Sequence, residues 1–363
     1  MARLLSINLV HSICLENQPM KTLGPRFVLA LVGLATCLAA ARLAAADLEI
    51  GKDPDTGWGL MTVKQGDMAV RIVPQAGCNV ESIRFKGTEL LKTPKSLKDL
   101  PGFMYGVPVL YPMPNRVRDG AFTFDGRKFT FPPNNNGNFL HGLVHSVAWQ
   151  GGDINLGNVG SLTYLCPFEP GNEPFKSFPF PHLLKLEIQV ANHSVRWIYT
   201  VDNSKGDKPV PYGFALHPWF LYQGSRRDTF VTIPATHLMA AEKLLPTGKL
   251  LDLAGQADFD ARQPRSLEGF VRDDVYYGMT PEQPALIDFR AARLKITLST
   301  SAEFTHLVLY TPKDEGWFCV ENQTCSTDAH NLFARGLKKE SHLQVVEPGQ
   351  TGSGWVEYKF ESY

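Results

Sequence analysis

Residues 184–190 read Leu-Lys-Leu-Glu-Ile-Gln-Val, so apolar and polar side chains alternate at every position. Because successive side chains of a β-strand point to opposite faces, this pattern predicts a strand with one buried face. The same period of two recurs over residues 294–298 and over residues 355–360 near the end of the chain. It is less regular over residues 195–201, because Ile198 falls on the face opposite to its apolar neighbours. The chain is therefore predicted to be rich in half-buried strands.

A tight hairpin turn is predicted within residues 122–131. This segment places Asp125-Gly126 between two runs of alternating aromatic residues. The Asp-Gly pair readily adopts the positive φ angles that a two-residue hairpin turn requires. We therefore expect two antiparallel strands joined at Asp125 and Gly126.

The organisation of the rest of the chain favours one all-β unit. From Asp47 onward, helical periodicity is scarce and no low-complexity linker interrupts the sequence. The turn-rich loop at 132–138 is too short to separate domains, and residues 168–181 are predicted to form a surface loop. Many short strands without alternating helices predict a large antiparallel β-sandwich, with residues 47–363 as a single domain.

The balance of charges narrows the class of partner. The chain has 36 Lys and Arg residues and 36 Asp and Glu residues, so its formal net charge is zero. Without a basic block it lacks the electrostatic footprint of a protein that binds nucleic acid or an anionic membrane. We expect a small, neutral partner instead. The oligomeric state is left open.

Residues 1–46 are predicted to be an export leader. Residues 27–40 form an uncharged apolar run that follows basic residues and precedes a small-x-small site at Ala44 and Ala46. This arrangement is typical of a cleaved secretory signal peptide, and the run is too short for a comfortable membrane-spanning helix. Met20 is a candidate start, because the signal is complete from there. The mature protein is thus expected in the periplasm or outside the cell, without stable membrane insertion.

A lipid anchor is a second interpretation of the leader. Residues 34–37 read Leu-Ala-Thr-Cys, which resembles a lipobox. Thr36 stands where a smaller residue is usual, so simple cleavage is favoured.

Four cysteines remain after removal of the leader. Export permits these cysteines to form disulfides. Because they are widely spread along the chain, buried free thiols are at least as good an interpretation. No Cys-x-x-Cys pair occurs, so a zinc or redox motif is unsupported. The four are Cys78, Cys166, Cys319 and Cys325.

Several polar clusters fall where a predicted strand ends or turns. Histidine exchanges protons near neutral pH, and a carboxylate opposite it can take the reverse role. Each such group commonly accelerates a reaction about 10²–10⁴-fold. Arg and Asn side chains can hold hydroxyl groups, and an aromatic ring can stack on a sugar face. The clusters are residues 111–120, 138–142, 212–220, 320–324 and the weaker Asp273-Asp274, and the candidate stacking rings are Trp219, Phe220 and Tyr276.

A metal site at His141 and His145 is disfavoured. The His-x-x-x-His spacing places both side chains on one face of a helix. Gly142 and the strand-rich surroundings argue against a helix there, and residues four apart in a strand lie too far apart to chelate easily. No Glu follows His141, so the metalloprotease pattern is missing as well.

The order of these clusters resembles the aldose 1-epimerase (galactose mutarotase) family over nearly the whole mature chain. One short motif would be weak, whereas six in the same order are specific. The matching segments are Gly106-x-Pro108 through Pro112-x-Pro-Asn115-Arg116-Val-x-x-Gly120, Asn138-x-Leu-His141-Gly142, His217-Pro-Trp-Phe220, the turn Leu245-Pro-Thr-Gly248, Asp273-x-x-Tyr276, and Glu321-x-Gln-Thr324 through Asp328-Ala-x-Asn331.

The resemblance implies a β-supersandwich fold and an isomerase that interconverts the α and β anomers of a free aldose. Glu321 would be the general base and His217 the general acid, with His141 orienting the sugar or stabilising charge near the ring oxygen. Arg116, Asn115 and Asp273 would bind substrate. No cofactor and no metal are implied, because ring opening needs only paired proton transfers.

The implied roles lead to further expectations. The rate should rise through a carboxylate pKa and fall through an imidazole pKa. In the predicted strand at 317–321, Cys319 and Glu321 should face the same side. Asp274 competes with Asp273 for the binding role, because Tyr277 gives it the same spacing to an aromatic residue.

The sequence departs from the family pattern at a few positions. Asn322 replaces Pro after the base, Trp219 replaces Tyr, and Leu143 replaces a second Gly. Asn322 and Leu143 are expected to alter the shape of the pocket.

Two other functions are compatible with such a fold. A carbohydrate-binding or sensing protein would keep the binding residues without needing the acid–base pair, so retention of Glu321 and His217 favours the enzyme. A glycoside-cleaving enzyme usually needs two carboxylates across the scissile bond, and only one convincing carboxylate is evident here.

Overall fold

The structure, a computed structural model, describes residues 45–363. Every ladder between its strands is antiparallel. In chain order the strands are β1 (Asp47–Lys52), β2 (Gly59–Gln65), β3 (Met68–Val73), β4 (Asn79–Phe85), β5 (Thr88–Glu89), β6 (Val109–Leu110), β7 (Arg116–Val117), β8 (Ala121–Phe124), β9 (Arg127–Thr130), β10 (Phe139–Leu140), β11 (Gln150–Leu156), β12 (Gly160–Phe168), β13 (His182–Ala191), β14 (Ser194–Asp202), β15 (Val210–Tyr212), β16 (Ala215–Leu216), β17 (Phe220–Leu221), β18 (Thr229–Thr232), β19 (His237–Glu242), β20 (Leu245–Asp252), β21 (Arg265–Ser266), β22 (Asp273–Tyr277), β23 (Ala285–Phe289), β24 (Leu294–Thr300), β25 (His306–Tyr310), β26 (Trp317–Gln323), β27 (Gln344–Val346) and β28 (Thr351–Ser362).

Helices are few and short in this part of the chain. None of those within residues 45–363 is long and apolar enough to cross a membrane. The α-helices are α1 (Glu173–Ser177), α2 (Ala329–Ala334) and α3 (Lys338–Ser341), and the 3-10 helices span Leu97–Gly102, Arg118–Gly120 and Leu253–Gly255.

Three larger sheets carry the architecture. A five-stranded sheet follows chain order from β1 to β5. A nine-stranded sheet has the order β11-β12-β13-β14-β28-β24-β23-β18-β21, and an eight-stranded sheet has the order β20-β19-β22-β25-β26-β16-β6, with β17 also pairing with β26. One continuous cluster of buried apolar side chains includes residues of all three sheets. The predicted all-β antiparallel sandwich is confirmed.

The alternation in the sequence matches the burial of the strands. Along β13 and β14, buried side chains alternate strictly with partly exposed ones. The predicted strands at 294–298 and 355–360 lie within β24 and β28, which neighbour each other in the nine-stranded sheet. The rings of Trp197 and Tyr358 pack edge to face across β14 and β28, with centroids 5.0 Å apart. Burial of these faces is the main stabilising contribution to the sheet.

The hairpin predicted at Asp125-Gly126 is also confirmed. Strands β8 and β9 pair with Phe124 opposite Arg127, so only two residues form the turn. Both have positive φ angles, 48° at Asp125 and 70° at Gly126. That is the backbone conformation for which the Asp-Gly pair is suited.

Two local predictions were wrong. Residues 168–181 contain helix α1, and they are fastened to the core by the buried rings of Phe178 and Phe180 rather than lying as a surface loop. Residues 245–248 begin strand β20 rather than forming a turn. The change of direction falls earlier, at Lys243 and Leu244, which have positive φ angles of 50° and 66°.

The predicted leader lies almost wholly outside the described residues and stays a prediction. Its last residue, Ala46, is described: its side chain is buried and its backbone N–H donates to the carbonyl of Gly157. The four cysteines of the described part, Cys78, Cys166, Cys319 and Cys325, are free and buried.

Candidate active site

Strand β26 forms the floor of the candidate site. All seven of its residues are buried, because it lies between β25 on one side and β16 and β17 on the other. Glu321 lies on this strand and is 2% exposed. A carboxylate on a strand paired at both edges has a well-fixed position, which favours precise chemistry.

The register of the sheet brings His217 opposite Glu321. Strands β16 and β17 pair with β26 through Ala215 opposite Gln323 and Phe220 opposite Phe318. Both ladders keep one register, and continuing it across the gap between them places His217 directly across from Glu321. The imidazole Nε2 lies 3.3 Å from Oε1 of the carboxylate, and both side chains are almost fully buried.

A second short ladder brings His141 beside Arg116. Strand β10 pairs with β7 with Leu140 opposite Arg116, and the next N–H, that of His141, donates to the carbonyl of Asn115. His141 has a positive φ of 70°, which turns the chain away from the strand at this point. Its ring meets the His217 ring almost at a right angle, with centroids 5.0 Å apart.

Asp273 completes the charged groups of the site. It lies on β22, whose ladder with β25 places it opposite Tyr310. Its carboxylate is 4.0 Å from the guanidinium of Arg116. Asp274 instead faces Arg272 at 3.8 Å and does not line the pocket. The geometry therefore favours Asp273 over Asp274 for contact with a ligand.

These side chains surround one pocket of about 190 Å³. All six residues predicted for the site contribute to its wall, together with a rim of aromatic and apolar residues. The lining residues are Phe103, Met104, Asn115, Arg116, Asn135, Leu140, His141, His217, Trp219, Asp273, Val308, Tyr310 and Glu321.

Two asparagines hold the guanidinium of Arg116. Asn115 Oδ1 accepts from the backbone N–H of Arg116 at 2.9 Å and from its NH1 at 3.0 Å. Asn135 Oδ1 accepts from Nε at 3.2 Å. Asn115 was predicted to bind substrate. Its side-chain oxygen accepts both bonds from Arg116 and so orients that side chain, while its role in binding substrate stays a prediction.

Burial changes the protonation of the central pair. Burial raises the pKa of Glu321 well above its usual value, and the Asp273 charge adds to this. Burial also lowers the pKa of His217 to about 3. Burial therefore disfavours both the Glu321 carboxylate and the His217 imidazolium. The pH profile that ordinary carboxylate and imidazole pKa values would give is therefore not expected for this pair.

Aromatic rings frame the two histidines. The Trp219 ring stacks on His217 at 4.8 Å with an interplanar angle of 10°, and its indole N–H donates to the carbonyl of Phe103. Phe103 packs edge to face on His141 at 4.7 Å. Burial, with the nearby His217, lowers the pKa of His141 well below its usual value, so this imidazole is neutral.

A sequence model of the family described as aldose 1-epimerase matches residues 59–359. The chain belongs to the aldose 1-epimerase family. The matched range includes every residue of the pocket wall.

Relatives in this family are distant in sequence. An uncharacterized protein of Escherichia coli, YihR, is 23% identical over 188 residues, which cover 50% of this chain and 57% of that protein. The bovine galactose mutarotase is 28% identical over 213 residues, which cover 53% of this chain and 57% of the relative. The matched segments thus span little more than half the length of either protein.

Solved structures share the fold over most of the chain. A galactose mutarotase-like protein from Clostridium acetobutylicum superposes with a TM-score of 0.78 at 21% identity, covering 89% of this chain and all of that one. A galactose 1-epimerase from Lactobacillus acidophilus gives a TM-score of 0.69 at 16% identity, covering 88% and 99%. These likenesses establish the galactose mutarotase-like β-sandwich fold.

Several other sequence predictions concerned the surroundings of this pocket. Of the three candidate stacking rings, only Trp219 reaches it. Phe220 and Tyr276 are fully buried, and the Tyr276 hydroxyl donates to the carbonyl of Phe259. Asn322 and Leu143 also lie outside the pocket wall, so neither shapes it directly.

Sequence reasoning missed five residues of the pocket wall, namely Phe103, Met104, Asn135, Val308 and Tyr310. Asn135 belongs to a loop that was recognised only as rich in turn residues, and Tyr310 occupies a strand without a distinguishing motif. Phe103 and Met104 follow a 3-10 helix and form part of the rim. No local signal marks these side chains, because long-range packing alone brings them to the pocket.

Proposed function

We propose that this chain is a mutarotase that interconverts the α and β anomers of a free aldose. The observation that carries the proposal is the His217–Glu321 pair, 3.3 Å apart across one register of the sheet and facing a polar pocket. A buried pair that shares a single proton can remove a proton from one oxygen of a sugar while delivering a proton to another.

The reaction needs no net change in the pair. The reactive form carries one proton, on His217, although burial disfavours both charges. In that form Glu321, as carboxylate, takes the proton of the anomeric hydroxyl while His217, as imidazolium, donates a proton to the ring oxygen. The C1–O5 bond breaks, a carbonyl forms at C1, and the ring opens. After rotation about the C1–C2 bond, the O5 hydroxyl attacks the other face of C1, returning its proton to His217, and Glu321 returns its proton to O1. Both groups finish in their starting states.

The remaining polar residues suit binding and orientation. The Arg116 guanidinium and the Asp273 carboxylate offer donors and acceptors for sugar hydroxyls, with Asn115 and Asn135 holding the guanidinium in place. His141 is neutral and lies beside His217, where it can orient the sugar or stabilise charge near the ring oxygen. Trp219, at the pocket wall, offers an apolar surface to a sugar.

The charges of the pocket favour an unphosphorylated sugar. Arg116 is the single Arg or Lys among the lining residues, and it faces the carboxylate of Asp273. A phosphate group normally requires two or more cationic or backbone donors with its charge unopposed. A neutral aldose therefore fits this wall better than a sugar phosphate.

Polarimetry tests the proposal directly. Freshly dissolved α-D-glucose and α-D-galactose are followed with the purified mature chain and with its Glu321→Gln variant. We expect accelerated mutarotation by the wild-type chain and a loss of about 10²–10⁴-fold in the variant. Methyl glycosides serve as the substrate control, since they lack the free anomeric hydroxyl and their optical rotation should not change.

The outcomes separate three functions. No acceleration with any free aldose, combined with detectable sugar binding, would favour a carbohydrate-binding or sensing protein on the same fold. Release of methanol from the methyl glycosides would instead indicate a glycoside-cleaving enzyme.

We also propose that the chain is exported, with cleavage of the leader. This rests on the apolar run at 27–40 and the small residues that follow it. Cell fractionation and the mass of the mature protein test it. A protein that keeps residues 20–46 and stays in the cytoplasm would contradict it.

A further inference from the structure

We propose that His217, Cys319 and Glu321 bind a thiophilic divalent cation such as Zn²⁺ or Cd²⁺, and that this ion excludes sugar from the pocket. The ion would be an inhibitor of the site and not a cofactor. The binding itself does not depend on the proposed function, whereas its effect on turnover does.

The geometry of the three side chains carries the proposal. Cys319 and Glu321 are two residues apart on β26 and point to the same face of the strand, toward His217. One ligand atom of each residue lies within 4.8 Å of the other two, and all three residues are buried. The imidazole Nε2 and the carboxylate Oε1 are already 3.3 Å apart.

These distances are close to those of a tetrahedral zinc site. Zinc–ligand bonds of the usual lengths place neighbouring nitrogen, oxygen and sulfur ligands about 3.4–3.6 Å from one another. The thiol therefore needs to move by roughly 1.2–1.4 Å at most, which a side-chain torsion can supply. The fourth position would open toward the pocket, because His217 and Glu321 both line it.

The donor set selects the class of cation. Thiolate and imidazole are preferred by Zn²⁺ and Cd²⁺, whereas Mg²⁺ and Ca²⁺ prefer oxygen ligands throughout. Binding also balances charge within the buried site. The cation displaces the thiol proton and any proton carried by the Glu321 carboxyl group, and these protons leave to solvent. Two negative ligands then neutralise the two charges of the ion.

Competition with sugar follows from the same atoms. An ion on Nε2 of His217 and on the Glu321 carboxylate occupies the lone pairs that proton transfer requires. It also fills the end of the pocket at which the anomeric carbon would lie. Cys319 has no part in the proposed reaction and packs with Trp219 and Trp317, so it can be changed without removing the acid–base pair.

Cadmium titration of the purified mature chain tests the site independently of turnover. Cd²⁺–thiolate bonds give a charge-transfer absorption in the ultraviolet. We expect one equivalent of Cd²⁺ to produce it in the wild-type chain and in the control Cys166→Ala, and not in Cys319→Ala. Cys166 is an equally buried free thiol on β12, away from the pocket. Cys319→Ser replaces Cys319→Ala if the latter folds poorly by circular dichroism.

Inhibition is measured on the same proteins. Zn²⁺ should inhibit mutarotation competitively with sugar and reversibly by EDTA. Cys319→Ala should keep its activity and require at least about tenfold more Zn²⁺. An absorption that is equal in Cys319→Ala, or absent from the wild-type chain, would overturn the site. A Cys319-dependent absorption in a chain without mutarotase activity would keep the site and refute the function.

Discussion

Replacing Gly142 by alanine tests how the His141 loop is fixed. Gly142 directly follows His141, forms an isolated parallel bridge with Tyr111, and has a positive φ of 72°. A Cβ at this position would lie 2.4 Å from the carbonyl oxygen of Tyr111, and the obstructing atoms are all backbone. Gly126, in the β8–β9 hairpin, has nearly the same φ of 70° with nothing within 4 Å of its Cβ position, so Gly126→Ala is a matched control.

The magnitudes follow from these two environments. An L-residue in the left-handed region costs about 1–2 kcal/mol, and the stiffer unfolded chain recovers about 0.4–1 kcal/mol of that. Gly126→Ala should therefore lower the free energy of unfolding by about 1 kcal/mol or less. Gly142→Ala adds the displacement of packed backbone, about 1–3 kcal/mol, for a total of about 1–4 kcal/mol.

Urea unfolding followed by circular dichroism measures both changes, with polarimetry at low urea measuring activity. Gly142→Ala should also lose activity while still folded, because relieving the contact moves His141. Gly126→Ala should keep full activity, since no residue of the β8–β9 hairpin lines the pocket. Equal losses of stability in the two variants would refute the reasoning, and so would full activity in folded Gly142→Ala.

Four further outcomes are expected. The double variant of Glu321→Gln and His217→Gln should be about as active as the less active of the two single variants, because the two groups act as one unit. A loss in the double variant equal to the product of the two single losses would contradict this. At about pH 5, where an ordinary imidazole is mostly charged, NMR should find the His217 ring neutral, because burial lowers the pKa of His217 to about 3. For the same reason kcat/KM at that pH should be no lower than at about pH 7. A charged ring at about pH 5 would show that burial does not control the pKa of His217. Asp273→Asn should raise KM by about 5-fold or more through a lost charged hydrogen bond to sugar, with Asp274→Asn as the control near wild type, and equal KM values would place the binding carboxylate elsewhere. Lys92→Met should lower the free energy of unfolding, measured in urea, by about 0.5–2 kcal/mol. The reason is that the Lys92 ammonium lies over the rings of Tyr105, Trp219 and Trp317 at 4.7–5.0 Å from their centroids. An unchanged urea midpoint would show that these contacts do not stabilise the fold.

Local pattern was enough to predict the strands and the hairpin. The alternation at 184–190 and the Asp-Gly pair at 125–126 each express a preference of a few neighbouring residues, so the sequence reveals them directly. The same holds for the short motifs around His141, His217 and Glu321, whose order along the chain indicated the family. Cys319 and Glu321 were likewise placed on one face by spacing alone.

The pairing of strands that are distant in the chain could not be predicted from the sequence. That His217 stands opposite Glu321 depends on β16 and β17 sharing one register on β26. Asp273 and Asp274 are adjacent and chemically identical, and only the packing of β22 turns one to Arg116 and the other to Arg272. The burial of the Phe178 and Phe180 rings in the core was missed for the same reason, because it depends on packing against distant residues.

The sequence by itself determined the strand-rich fold, the family and the residue types available for acid–base chemistry, because short-range periodicity and motif order are local properties. Only the tertiary structure decided which carboxylate faces the pocket and that Asn115 accepts a hydrogen bond from the Arg116 guanidinium. Only the tertiary structure decided, too, that burial raises the pKa of Glu321 and lowers the pKa of His217. Desolvation and strand register arise from residues far apart in the chain, and they exist only once the sheets have packed.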